Sequence, residues 1–300
     1  MTGVELTKGI TEAIKAGSKP ITKLIDCVSK GLGKVYEPIG TVRQAKADAK
    51  AALILAEGDA ARKELISGAA HRLAFIETRR QEVIESITEQ AKALLPETVS
   101  EDPVSEDWTV QFFENAKDVT EPELQRLWAA ILAREVSTPG SYSRRTLVLL
   151  KTFEKAEAQL FTHACSVSLC DKDNARFLFN GKVTDAVFRS QFGIKGDGVN
   201  HLISIGLLSA APVIQPISAF DKTKLEYFGK SYRISAPGPP HGNTIPTGPE
   251  PAIGIRSFTS AANELANIVR PTEIPGYLEM LQHEFGVLRV RFYEISDKNP

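Results

Sequence analysis

The sequence predicts a mainly α chain with a smaller α+β part, built as extended N-terminal helices, a central helical bundle and a C-terminal winged-helix-like domain. Three observations carry that expectation. Residues 107–170 hold the clearest 3.6-residue apolar period and both tryptophans. Residues 42–95 lack proline and are rich in Ala, Glu, Lys and Arg, a composition that favours helix. Beyond Cys170, short helical patterns give way to aromatic and β-branched segments around glycines, as in strands and hairpins. The expected parts are 1–98, an oligomerisation region; 105–172, the bundle; and 173–300, the α+β domain.

Residues 1–36 contain two short helical patterns separated at Gly17-Ser18. In the second, Ile21, Leu24, Ile25, Val28, Leu32 and Val35 form an apolar stripe with Lys23, Lys30 and Lys34 elsewhere on the surface. A basic amphipathic helix of this kind lies on a membrane or packs on another helix. Gly31 and Gly33, and the lack of a bulky aromatic anchor, favour packing over peripheral membrane contact by residues 19–36. Unbroken, the 42–95 helix would span roughly 80 Å at 1.5 Å per residue, too long for one small domain to bury. Gly58 and Gly68 are candidate bends. Leu53, Leu55, Leu65, Leu73, Ile76, Val83, Ile84, Ile87 and Leu94 give apolar faces without a strict heptad. A folded-back hairpin or contact with another subunit is therefore expected in place of a regular coiled coil.

An acidic, proline-containing linker, PETVSEDPVSE, leads to the bundle. Trp108, Phe112, Phe113 and Ala116 make a short helix. Leu124, Leu127, Trp128, Ile131 and Leu132 fall at i, i+3, i+4, i+7 and i+8 of the next, with Gln125, Arg126, Arg134 and Glu135 on its other side. Thr120 and Glu123 have capping-box spacing, and Pro139-Gly140 ends the helix. Trp128 lies within the stripe, which favours a core role over a binding anchor. Ser143 is placed to cap a helix from Arg144, with a break near Phe153-Glu154. Its buried side would carry Leu147, Leu150, Phe153, Ala156, Leu160, Phe161 and Ala164.

In the last third, Thr184 and Asp197 are candidate caps of two short helices. Val213–Ile217 reads as a strand, and KLEYFGKSYRIS (224–235) reads as a hairpin about Gly229. The Pro/Gly-dense residues 237–254 read as a long exposed loop. Thr259 caps a further helix, Tyr277 to Phe285 begin the last one, and Val287–Ile295 alternates as a strand. Two short helices, a Gly-Leu-Leu exit and a hairpin outline a winged helix.

Hydrophobic residues make up 42% and charged residues 24% of the chain, with a formal net charge of −1. That is an ordinary globular composition without a global electrostatic case for nucleic acid or anionic lipid. Cys27, Cys165 and Cys170 are few and scattered, which suits a reducing compartment. With no long apolar run and no basic-then-apolar leader, the expectation is a cytoplasmic protein. The five histidines (71, 163, 201, 241 and 283) lack metal-ligand spacing. Gly193–Gly198 lacks the lysine-serine/threonine ending of a phosphate loop. No Gly-x-Ser-x-Gly elbow and no carboxylate pair stand out. The expectation is therefore no enzyme, no metal and no cofactor. If the winged-helix-like part contacts nucleic acid, the residues available are Arg189, Lys195, Asn200, Lys224, Lys230 and Arg233. A reading helix bare of Arg and Lys is poorly equipped for phosphate, so a protein-contact role is favoured.

The run Leu124-Gln125-Arg126-Leu127-Trp128-Ala129-Ala130-Ile131-Leu132-Ala133, with Trp108 and Pro139-Gly140-Ser141-Tyr142-Ser143, resembles a bacterial family known only as a domain of unknown function. It is similar, more distantly, to the Abi-alpha type of abortive-infection proteins. The resemblance covers roughly Arg79 to Ile295 and brings no catalytic residues. It implies a bacterial, mostly helical protein of anti-phage defence. The expected function is thus a non-enzymatic interaction protein, a sensor or effector that homo-oligomerises through its N-terminal helices or meets a protein partner. The alternative is a DNA-binding winged-helix regulator.

Overall fold

The computed structural model describes residues 18–32, 60–192, 198–220, 223–235, 251–287 and 290–295. The chain divides into two compact units, Met1–Lys155 and Ala156–Pro300. This differs from the three-part partition expected above, and packing explains the difference. Helix α1 (Lys19–Gly31) and helix α2 (Ala60–Leu94) pack on the bundle helices and so share their unit. The bundle's expected last helix instead joins the sheet of the second unit.

In the first unit, α3 (Glu106–Ala116), α4 (Pro122–Ser137) and α5 (Arg144–Lys151) follow α2. Helix α2 lies chiefly against α4, and α1 lies against α3 and α4. The stripe of α1 is thereby covered: Leu24, Cys27 and Val28 are buried. Gly31 permits the close approach, since a β-carbon there would overlap the Phe113 ring and come within 2.8 Å of the Thr109 methyl. Residues 33–36 of the same pattern, and residues 42–59 of the long helical pattern with Gly58, lie outside the described residues. The described 35 residues of α2 run through Gly68 without a break and span about 52 Å.

Ser143 caps α5 as expected, accepting the Thr146 amide at 3.3 Å, and the break at Phe153-Glu154 separates α5 from α6 (Lys155–Ser166). The Thr120–Glu123 capping box does not form. Glu121 stands at the N-cap of α4 without a side-chain cap, and Pro122 follows at the first turn; that turn then has one fewer amide in need of a partner.

The second unit is α+β. A seven-stranded antiparallel sheet runs in the order β3-β6-β2-β1-β4-β5-β7, with β1 Leu169–Cys170, β2 Arg176–Phe179, β3 Val213–Pro216, β4 Leu225–Tyr227, β5 Lys230–Ser235, β6 Ala252–Ser257 and β7 Arg291–Ile295. Its helices are α6, α7 (Lys182–Phe192), α8 (Gly198–Ser204), α9 (Ser260–Ala266) and α10 (Tyr277–Val287). The β4–β5 hairpin turns at Phe228-Gly229, both at positive φ (45° and 77°), as a two-residue hairpin turn demands. It is no free wing: β4 also pairs with β1, and β5 with β7.

Several local expectations change here. Thr259 caps α9 through the Ala262 amide, at 3.3 Å. Thr184 caps nothing and donates its hydroxyl to the Phe179 carbonyl at 2.8 Å. The α7 terminus is capped from α10, where Glu284 accepts the amides of Lys182 (3.0 Å) and Val183 (3.3 Å). The loop read over 237–254 ends earlier, because Ala252–Ser257 is β6, held between β3 and β2; residues 237–250 lie outside the described residues. Val287 closes α10, so the last strand is shorter than its alternation suggested.

Register places Phe179, Tyr227, Tyr232, Ile234 and Phe292 on one face of the sheet, because paired residues of antiparallel strands share a face. Helix α10 covers that face: Phe285 meets Phe179 (4.9 Å between centroids) and Phe292 (5.7 Å) edge-on. Tyr227 and Tyr277 donate to the Ser166 and Val167 carbonyls at 3.0 and 2.8 Å. These bonds tie the end of α6 into the second unit.

Candidate functional site

The helical residues of the motif pack into the core of the first unit, while Pro139, Gly140 and Ser143 form the turn beside it. Trp108, Trp128 and Ile131 are buried, Leu124 sits at the edge of burial and Leu127 is half-buried. Phe112 stacks on Trp108 and meets Trp128 edge-on, each at 5.2 Å between centroids. The Trp108 indole donates to the Tyr142 carbonyl at 2.8 Å. That bond fastens the Pro139–Ser143 turn, in which Gly140 takes φ +84°, a conformation open to glycine.

The polar side expected for α4 is only half right. Arg126 and Arg134 are exposed, whereas Gln125 and Glu135 are buried. Glu135, 2% exposed, accepts the Gly140 amide at 2.7 Å and the Tyr142 amide at 3.0 Å. Gln125 accepts the Ser86 hydroxyl and donates to the Val119 carbonyl, both at 2.8 Å. A buried polar group needs its partners nearby, and these lie five to seven residues off or on another helix. They build structure, not chemistry.

Helix α2 supplies the surface feature of this unit. From Gln81 onward Val83, Ile84, Ile87 and Ala91 are buried against the unit. From Glu64 to Arg80 no residue is buried. The boundary is pinned by Asp118, which accepts Arg80 through both carboxylate oxygens (2.9 and 3.0 Å) and Arg79 at 3.1 Å. Arg80 holds the Asp118 carboxyl below its ordinary range, by hydrogen bonding first. Past that clamp the apolar face continues. Ile66, Leu73, Arg80 and Ile87 recur every seven residues, as do Ala69, Ile76 and Val83. Both sets share the face that α4 covers farther along. On that side Leu73 is 50% and Leu65 74% exposed, while the exposed Phe75 lies on the other side of the helix. The seven-residue spacing was the available signal; without the structure it could not be told which part was covered.

The residues singled out for nucleic acid do not converge. Arg189 and Lys230 are exposed, and Asn200 is exposed on the short α8. Lys195, like the candidate cap Asp197, lies outside the described residues. Lys224 sits 3.4 Å from Glu226. On the hairpin, Lys230 shares the face of Tyr232 while Arg233 lies on the other, by strand alternation. The hairpin cations are therefore divided between the two faces of the sheet.

The thiols offer no nucleophile. All three cysteines are buried and free. Burial pushes Cys27 up to about 11 and Cys165 to about 12, and raises Cys170, so they stay protonated near neutrality. His201 lies 2.9 Å from Glu157 on α6, and His163 is lowered by burial. Among the described residues no group of three or more His, Cys, Asp or Glu is arranged to hold a metal ion. No described helix is long and apolar enough to cross a membrane.

No curated protein and no solved structure matches the chain. Residues 68–282, running from α2 into α10 and covering well over half of the sequence, match the family described as a protein of unknown function (DUF2806), and the chain belongs to that family.

Proposed function

We propose that this is a non-enzymatic interaction protein that self-associates through α2, with a second copy of the chain covering the stripe at Leu65, Ile66, Ala69, Leu73 and Ile76. One observation carries the reading: a helical face buried from Val83 onward continues, in the same register, as an uncovered apolar face. Scattered exposed apolar residues are ordinary, but a contiguous apolar face marks a contact surface. Identical stripes on two copies are self-complementary, as a two-fold dimer requires. Replacing Leu65 and Leu73 with glutamate removes the contact without touching either core, and light scattering reads the result as a loss of assembly mass.

The biological setting rests on resemblance. The Leu124–Ala133 helix is similar to that of the Abi-alpha proteins, which supports a bacterial cytoplasmic sensor or effector of anti-phage defence. Plaque counts on cells with and without the gene test this; equal counts across a broad phage panel would remove it. The DNA-binding winged-helix reading of 173–300 draws on the order helix pair, then hairpin. It has less support, because both hairpin edges are paired and its cations lie on opposite faces. Salt-sensitive duplex binding that is lost on Lys224→Glu would favour it.

A further inference from the structure

A cleft of about 490 Å³ opens in the second unit where α10 begins, lined among others by Lys230, Tyr232, Glu273, Glu279, Gln282 and Glu294. Its location follows from register. Tyr232 on β5 and Glu294 on β7 are direct cross-strand partners, and Lys230 lies two residues from Tyr232 on the same face. Farther along that face Ile234 and Phe292 are core residues under α10. The face thus changes from apolar core to acid at the corner the first turn of α10 leaves uncovered.

Two independent observations point to an occupant. Three carboxylates against one ammonium leave a formal net charge of −2 on the lining, and no ion pair among the described residues neutralises Glu273, Glu279 or Glu294. Glu279 at the first turn of α10 also suits the helix dipole, so Glu273 and Glu294 are the informative ones. Second, Tyr232 is 3% exposed, with its ring stacked on Phe292 at 5.2 Å. Its hydroxyl, at the cleft, has no hydrogen-bond partner among the described residues. The ring is buried while the hydroxyl reaches the cleft, where it is open to bond an occupant.

We propose that this cleft binds a small organic dication of the diamine class, one ammonium between Glu294 and the Tyr232 hydroxyl and the other toward Glu273 and Glu279. An extended dication fits better than a metal ion, because the carboxylates do not converge on one point. The opposite sign excludes phosphate esters, and the charged lining disfavours an apolar ligand. Burial raises the Tyr232 hydroxyl, and Glu294, Glu273 and Glu279 raise it further. A bound cation offsets the carboxylate part of that shift.

The test is calorimetric titration of the full chain with 1,4-diaminobutane at ~100 mM salt, beside butylamine and magnesium. The expected result is saturable binding, about ten-fold tighter for the diamine than for the monoamine. Glu294→Gln and, separately, the loop variant Glu273→Gln should each weaken it about five- to ten-fold, at unchanged melting temperature. Tyr232→Phe should also weaken binding, about three-fold, as the ammonium loses one hydrogen-bond partner. Absence of saturable binding overturns the proposal. So does parental affinity in both glutamine variants, or equal binding of magnesium, since either reports general screening of an acidic surface.

Discussion

Trp128 shows what single side chains contribute here. Its ring is fully buried against Phe112, yet its indole N–H has no hydrogen-bond partner among the described residues. Unpaired buried donors cost about 1–3 kcal/mol, so the site is kept for the packing of the ring. Trp128→Ala should destabilise the first unit by about 3–5 kcal/mol, read by urea unfolding; an unchanged midpoint would contradict the core assignment. Cys165 sets a pH dependence in the second unit. Burial raises its thiol from 9.0 to about 12, and the neutral form is the one the core accepts. Its contribution is fully present below about pH 9 and is lost as pH rises through about 12. Melting temperature should fall over that alkaline window, and less steeply in Cys165→Ala; parallel slopes would argue against it. The Trp128 role was readable from spacing because its stripe is local. Glu135 was not: the same helical period puts it on the polar side, and the turn it holds lies beyond the helix end.

At the scale of elements, the caps separate what sequence can and cannot supply. Ser143 and Thr259 bond amides three residues on, so the signal sits within a few letters. The cap of α7 comes from Glu284, about one hundred residues away, and no local pattern announces it. The hairpin at Phe228-Gly229 was legible for the same local reason. Its place within seven strands was not, because strand order depends on pairings distant in sequence. Close approach of helices is likewise a tertiary matter. In isolation Gly31 weakens helix α1, while in the fold it admits the Phe113 ring. Gly31→Ala should therefore destabilise the chain by about 1–3 kcal/mol despite its higher helix propensity. Hydrogen exchange should accelerate in α1 before the rest of the unit; a stabilised protein would show that the α1–α3 contact yields freely.

At the scale of the molecule, two units are each organised by their own core, and the features that point outward lie apart from both. In the first, the Asp118 clamp ends the covered length of α2, and the apolar stripe goes on. In the second, an acidic cleft sits at the open corner of the sheet face under α10. The central claim concerns the stripe, and the direct measurement is the solution mass of the intact chain and of a Leu65→Glu, Leu73→Glu variant by light scattering. Both positions are exposed, so the variant should melt as the parent does. The account predicts a multiple of the chain mass for the parent and a single chain mass for the variant. A monomeric parent, or an assembly of equal mass in both, would contradict it.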